Sequence, residues 1–203
     1  MRYDPEVHHR RSIRLSGFDY SRKGAYFVMI VTQGRACLLG QISNGEMRLN
    51  AAGDAITAWW RRLPDKFPST SVDAFVLMPN HLHGIIVIEG KGQRPESAPT
   101  ESDGIARTGL SFRPDVKGLG PETDDVRPDP PISHMVQWFK TMSTNAYIHG
   151  VKESGWAAFK NRLWQRNYYE HVIRNVADYD RIFNYLGSNP LRWAEDEENP
   201  ANA

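Results

Sequence analysis

Two imidazoles stand two residues apart in His81-Leu82-His83. Side chains alternate faces along a strand, so a strand through these residues projects both histidines from one side and Leu82 from the other. Neighbouring imidazoles are a natural pair of metal ligands. A His-x-His pair is also common by chance, and on a solvent-facing strand edge it is only two polar residues. Here it follows Met78-Pro79-Asn80 and precedes the apolar run Gly84-Ile85-Ile86-Val87-Ile88. That setting predicts a strand inside a sheet rather than at its edge.

The elements that must hold this pair are legible around it. Residues 25–32 are β-branched and aromatic and predict a buried strand. Asn44-Gly45 is a tight-hairpin signal leading into Glu46-Met47-Arg48-Leu49. Asn50 is placed to cap a helix beginning at Ala51, with Ile56, Trp59, Trp60 and Leu63 at helical spacing. Pro64 and Pro68 are expected to end it. Strands are predicted over 72–79 and 81–88. Residues 89–131 are rich in Pro, Gly, Ser and charge and sustain no apolar periodicity, so an insertion, expected to be mobile, is placed at about 90–131. Helices are then predicted over 132–148, 169–174 and 176–188, with 155–164 a connector or short strand. Asn189-Pro190 closes the last helix.

Composition bounds the class. The chain has 203 residues, which suits a single domain over 1–203. Its one cysteine, Cys37, excludes an intramolecular disulfide framework. The N-terminus has no apolar run and does not read as a signal peptide, and no apolar stretch is long enough to cross a bilayer. A cytoplasmic protein without a membrane partner is expected. The formal net charge is only +1. Local basic sets do occur, at 8–14 with Arg22 and Lys23, and at Lys152, Lys160, Arg162, Arg166, Arg174 and Arg181. Acids gather at 96–129 and at Glu195, Asp196, Glu197 and Glu198. From charge alone these read first as ordinary solvated surfaces, although local patches can bind phosphate on a near-neutral chain.

The block Met78-Pro79-Asn80-His81-Leu82-His83-Gly84-Ile85-Ile86 closely resembles the HUH block of the transposase IS200-like superfamily, and most of all the REP-associated tyrosine transposases. Three further segments match in order. Arg10-Arg11-Ser12-Ile13-Arg14-Leu15, with Asp19-Tyr20 and Gly24-Ala25-Tyr26-Phe27, resembles the family's opening. Trp164 to Asn175 resembles its late block, and Asn184-Tyr185-Leu186-Gly187-Ser188-Asn189-Pro190 the helix that carries its nucleophile. Four ordered blocks are far more specific than the histidine pair alone.

The resemblance implies an α+β fold, an antiparallel sheet with helices packed on one side, ferredoxin-like in outline. It implies a bacterial, metal-dependent endonuclease and strand transferase that acts on single-stranded or hairpin DNA through a 5′-phosphotyrosine and is nucleoid-associated when bound. A non-catalytic DNA-binding protein on the same fold is the alternative. By this match Tyr185 is the nucleophile, and His81, His83 and Asn189 hold Mg2+ or Mn2+. Tyr185 and Asn189 are four apart and can share a helix face. On its residues alone Tyr185 also reads as a boundary tyrosine that only packs, and Asn189 as a helix C-cap before Pro190. Tyr168 and Tyr169 read as packing or DNA contacts, and Trp164 as core. Lys140 resembles a basic position of the family's middle helix. Arg10, Arg11, Arg14 and Arg174 are the other expected DNA contacts, with His171 beside them. Relatives work as monomers or as homodimers, and both states stay open.

Overall fold

Strand β1 (Gly24–Val31) sends Tyr26, Val28 and Ile30 to one side and Ala25 and Phe27 to the other, and all five are buried. Strands apolar on both faces need cover on both faces, and the architecture follows from that. The structure is a computed structural model that describes residues 19–89, 99–102, 105–108 and 131–202. Arg10, Arg11 and Arg14, expected to contact DNA, lie outside the described residues.

After β1 come the hairpin β2 (Gly40–Ser43) and β3 (Glu46–Leu49), helix α1 (Ala51–Arg61), the single turn α2 (Leu63–Lys66), β4 (Thr70–Leu77) and β5 (His81–Ile88). A second hairpin, β6 (Pro99–Ser102) and β7 (Ile105–Thr108), precedes helix α3 (Ile132–Ser154), β8 (Tyr169–Ile173) and α4 (Val176–Ser188). The main sheet runs β6-β7-β4-β5-β1-β8, and each neighbouring pair is antiparallel. β5 is therefore central, with Val31 opposite His81 and Met29 opposite His83 in its pairing with β1.

Helices α1 and α3 cover one face. Ile56, Trp60, Phe139 and Tyr147 close there on Tyr26, Val28, Leu82 and Ile86. α4 covers the other, with Tyr179, Ile182 and Leu186 on Ala25, Phe27, Val76, Ile85 and Val87. The α+β antiparallel sheet is as expected and the long helices share one side. α4 departs from a strictly one-sided arrangement because the second face is equally apolar.

Local signals explain most boundaries. Asn44 and Gly45 both take positive φ, 55° and 77°, the backbone that the tight hairpin needs. The Asn50 side chain accepts from Gly53 N–H at 2.9 Å and caps α1. Pro64 sits in the first turn of α2, so it starts a new turn where it was expected to end the old one. α3 runs six residues past the expected 148 and stops where Gly155 turns left-handed (φ 67°).

One expectation is corrected. Residues 169–174, read as a short helix, form strand β8. Val172 and Ile173 are β-branched, and Ala25 to Met29 of β1 offer an open edge that pairs with Ile173 to Tyr169. Within the insertion placed at about 90–131, the described residues include β6 and β7, which extend the sheet beside β4 through Ala74 and Phe75.

Candidate metal and tyrosine site

His81 and His83 point to the α4 side of β5, as their spacing requires. Both are buried, at 0% and 1% exposure. Their rings meet edge to face, 4.5 Å apart. Phe27 stacks on His83 at 5.5 Å, and Trp193 leans against His81 at 6.1 Å.

Asn80 decides which nitrogen of His81 is available. Its amide nitrogen donates to the carbonyls of Arg35 (2.9 Å) and Glu198 (2.6 Å), which fixes the amide oxygen toward His81. That oxygen lies 2.8 Å from His81 Nδ1. An acceptor there holds the proton on Nδ1 and leaves the lone pair on Nε2. Burial pushes the His81 imidazole down to about 3 and His83 well below its ordinary value, the latter helped by His81 beside it. Both rings are neutral near pH 7, the form that ligates metals.

Asp196 completes the cluster. It follows the short helical turn Pro190–Glu195, which continues from α4. Its Oδ1 accepts from Glu198 N–H at 2.7 Å, and its Oδ2 lies 3.8 Å from His81 Nε2. That distance is too long for a direct hydrogen bond. His81 Nε2 and a carboxylate oxygen therefore face each other as two acceptors. Such a pairing is unfavourable unless a cation lies between them. Among the described residues His81 Nε2, His83 Nδ1 and Asn189 Nδ2 are buried without a hydrogen-bond partner, an arrangement that folded proteins avoid unless a ligand uses it. His81, His83 and Asp196 can bring one ligand atom each within 4.8 Å of the others, so this group could hold a metal ion. Two neutral imidazoles and one carboxylate suit a divalent cation.

Tyr185 borders this cluster. Asn175 caps α4, and the Tyr179 hydroxyl donates to the Asp73 carboxylate of β4, which fixes the helix on the sheet. Two turns on, the Tyr185 hydroxyl lies 3.4 Å from His83 Nε2. Its ring is edge-on to His83 and Phe27, and the residue stays 42% exposed. Burial raises its phenol above the ordinary value, while the Asn189 side chain acts the other way. Asn189 is buried at the C-cap of α4, next to Tyr185, as four-residue spacing demands.

The remaining expected site residues lie apart. Lys140 is on α3, across the sheet from the histidines. Its ammonium donates to the carbonyls of Gln165 (2.9 Å) and Asn167 (3.0 Å) and sits 5.4 Å from the Tyr168 ring centroid. It lines a groove of about 640 Å3 together with Gln137, Asn145, Arg162 and Arg166. Trp164 is core and bonds Ser143. His171 is paired to Asp178 at 2.8 Å, and Arg174 is exposed at the end of β8. Asp196 and Asn80 were missed by sequence reasoning. Asp196 is hidden in a run of acids that reads as solvated surface, and Asn80 reads only as a turn residue.

No family model matches the chain. Among solved structures, a REP-associated tyrosine transposase bound to a REP hairpin is similar, with a TM-score of 0.51 and 18% identity, over 89% of this chain and 74% of that one. The antiparallel sheet and its covering helices thus share the fold of that REP-associated tyrosine transposase. An uncharacterized protein of Haemophilus influenzae is 34% identical over 201 residues, 97% of this chain and 96% of that protein. The chain belongs to the same family as that Haemophilus influenzae protein. No helix among the described residues is long and apolar enough to cross a membrane.

Proposed function

We propose that the protein is a metal-dependent, transposase-like nuclease that cuts and rejoins single-stranded or hairpin DNA through a 5′-phosphotyrosine at Tyr185. The observation that carries this reading is the part-exposed Tyr185, its hydroxyl 3.4 Å from His83, beside a buried ligand cluster whose acceptors call for a cation. The likeness to a hairpin-bound transposase agrees with it.

His81, His83 and Asp196 would hold the ion, with Asn189 as the further candidate ligand. Mixed nitrogen and oxygen donors favour Mn2+ over Mg2+, which prefers oxygen alone. A bound divalent cation would polarise the scissile phosphate and offset charge in the transition state. The protein's own groups supply the rest. Asn80 holds His81 in the Nε2-ligating tautomer. Phe27 and α4 keep the Tyr185 ring against His83. The Tyr185 oxygen bonds to phosphorus while the bond from phosphorus to the 3′ oxygen breaks, and that oxygen takes up a proton from solvent to leave as a 3′-hydroxyl. The phenol proton must leave as the bond forms; His83, ligating through one nitrogen, carries its own proton on the other, so it orients the phenol while the proton passes to the solvent that reaches Tyr185. The reverse attack by a 3′-hydroxyl rejoins DNA without an external energy source.

Denaturing gels of protein incubated with Mn2+ and fluorescent hairpin oligonucleotides from its own genome test this. Wild type should form an adduct that Tyr185→Phe loses and the Tyr168→Phe, Tyr169→Phe double variant retains. An adduct lost only in the double variant would move the nucleophile to Tyr168 or Tyr169. DNA binding without any adduct would favour a binding protein on this fold.

A further inference from the structure

Tyr169 has no part in the chemistry described so far. It opens β8, which ends the sheet next to β1. Its register, opposite Met29 with His171 opposite Phe27, puts its side chain on the face that carries His83 and Tyr185. The ring is edge-on to Phe27 at 6.1 Å, and Tyr185 is edge-on to the same ring at 6.4 Å. Phe27 itself is buried (7% exposed), whereas Tyr169 and Tyr185 are 36% and 42% exposed. Two open aromatic rings thus flank a covered one, in a line from the tyrosine helix to the edge strand. Among the described residues Tyr169 makes no contact with His81, His83 or Asp196, so the position does not suit a second nucleophile.

An exposed aromatic joined to Tyr185 through the shared Phe27 ring matches what single-stranded nucleic acid needs. Bases stack on aromatic rings whatever their sequence, and nearby cations track the backbone. Arg174 is exposed at the far end of the same strand. Asp178 of α4, which faces His171 beside this edge, already accepts from His171 and Arg181, which offsets its repulsion of phosphate. We infer that Tyr169 is a stacking platform for a nucleobase next to the phosphate that Tyr185 attacks. This inference rests on the proposed nuclease reading and names how its substrate is held.

The test uses full-length protein and oligodeoxythymidine carrying a single 2-aminopurine, whose fluorescence falls when it stacks. Wild type should quench the probe. Tyr169→Leu, which keeps an apolar side chain against Phe27, should lose the quenching and bind about 5- to 100-fold more weakly by anisotropy. Tyr169→Phe should restore both relative to Tyr169→Leu. Thermal unfolding of each variant separates loss of fold from loss of stacking. Unchanged binding and quenching in a folded Tyr169→Leu protein would overturn the inference. So would loss of a covalent adduct in Tyr169→Phe, which would make Tyr169 a nucleophile. If wild type forms no adduct yet quenches through Tyr169, the nuclease reading fails and the stacking site stands.

Discussion

The amide of Asn80 commits its nitrogen to two backbone carbonyls and its oxygen to His81. Asn80→Ala removes the group that fixes the tautomer and orientation of a ligand. Outer partners of this kind are worth about 10- to 100-fold in metal affinity, so calorimetric titration with Mn2+ should weaken by that factor. Unchanged affinity would mean His81 is held by other contacts. Asp196→Asn makes a sharper case, since it acts in opposite directions with and without metal. An amide nitrogen facing His81 Nε2 can donate where the carboxylate only repels. The metal-free variant should therefore gain about 0.5–1.5 kcal/mol, while the rise in Tm that Mn2+ gives the wild type should largely vanish. A variant that loses stability in both conditions would mean Asp196 is structural only.

At the scale of elements, β5 is the strand on which the site depends, and Gly84 sets how closely it is covered. A Cβ there would lie 2.4 Å from the Trp60 ring, itself wholly buried. Gly84→Ala should cost about 1–3 kcal/mol by urea denaturation, as overpacking of a full core does, and lower Mn2+ affinity because His83 is adjacent. Wild-type stability in this variant would show that Trp60 can withdraw. The same strand was the most legible in the sequence, because His-Leu-His followed by an apolar run carries both its period and its place in the sheet. Asn44-Gly45 and Asn50 were equally plain, since turn and cap chemistry is local. β8 was not legible as a strand, because its pairing with β1 is made across the chain and five residues hold too little periodicity to separate strand from helix. Asp196 escaped for a related reason. Its place beside His81 depends on the tail folding back on Asn80 and Arg35, and no spacing in the sequence encodes that return.

Across the whole molecule the two faces of the sheet have different tasks. One is a core of α1 and α3, and the other is a thin layer under α4 that leaves Tyr185 open. Lys140 ties α3 to the segment leading into β8, and burial pulls its ammonium down to about 8. An unfolded lysine titrates near 10.4. Between those values the unfolded chain binds more protons than the folded one, so stability rises with pH across that window. Wild type should gain stability relative to Lys140→Met when urea unfolding is compared at pH 7.5 and 9.5. Equal change in both proteins would mean the ammonium stays solvated. The central claim concerns one oxygen atom, and mass spectrometry of the protein digested after reaction with Mn2+ and hairpin DNA addresses it directly. The account predicts a nucleotide phosphate on the peptide containing Tyr185. The same mass on the peptide containing Tyr168 and Tyr169, or no adduct with DNA that the protein binds, would contradict it.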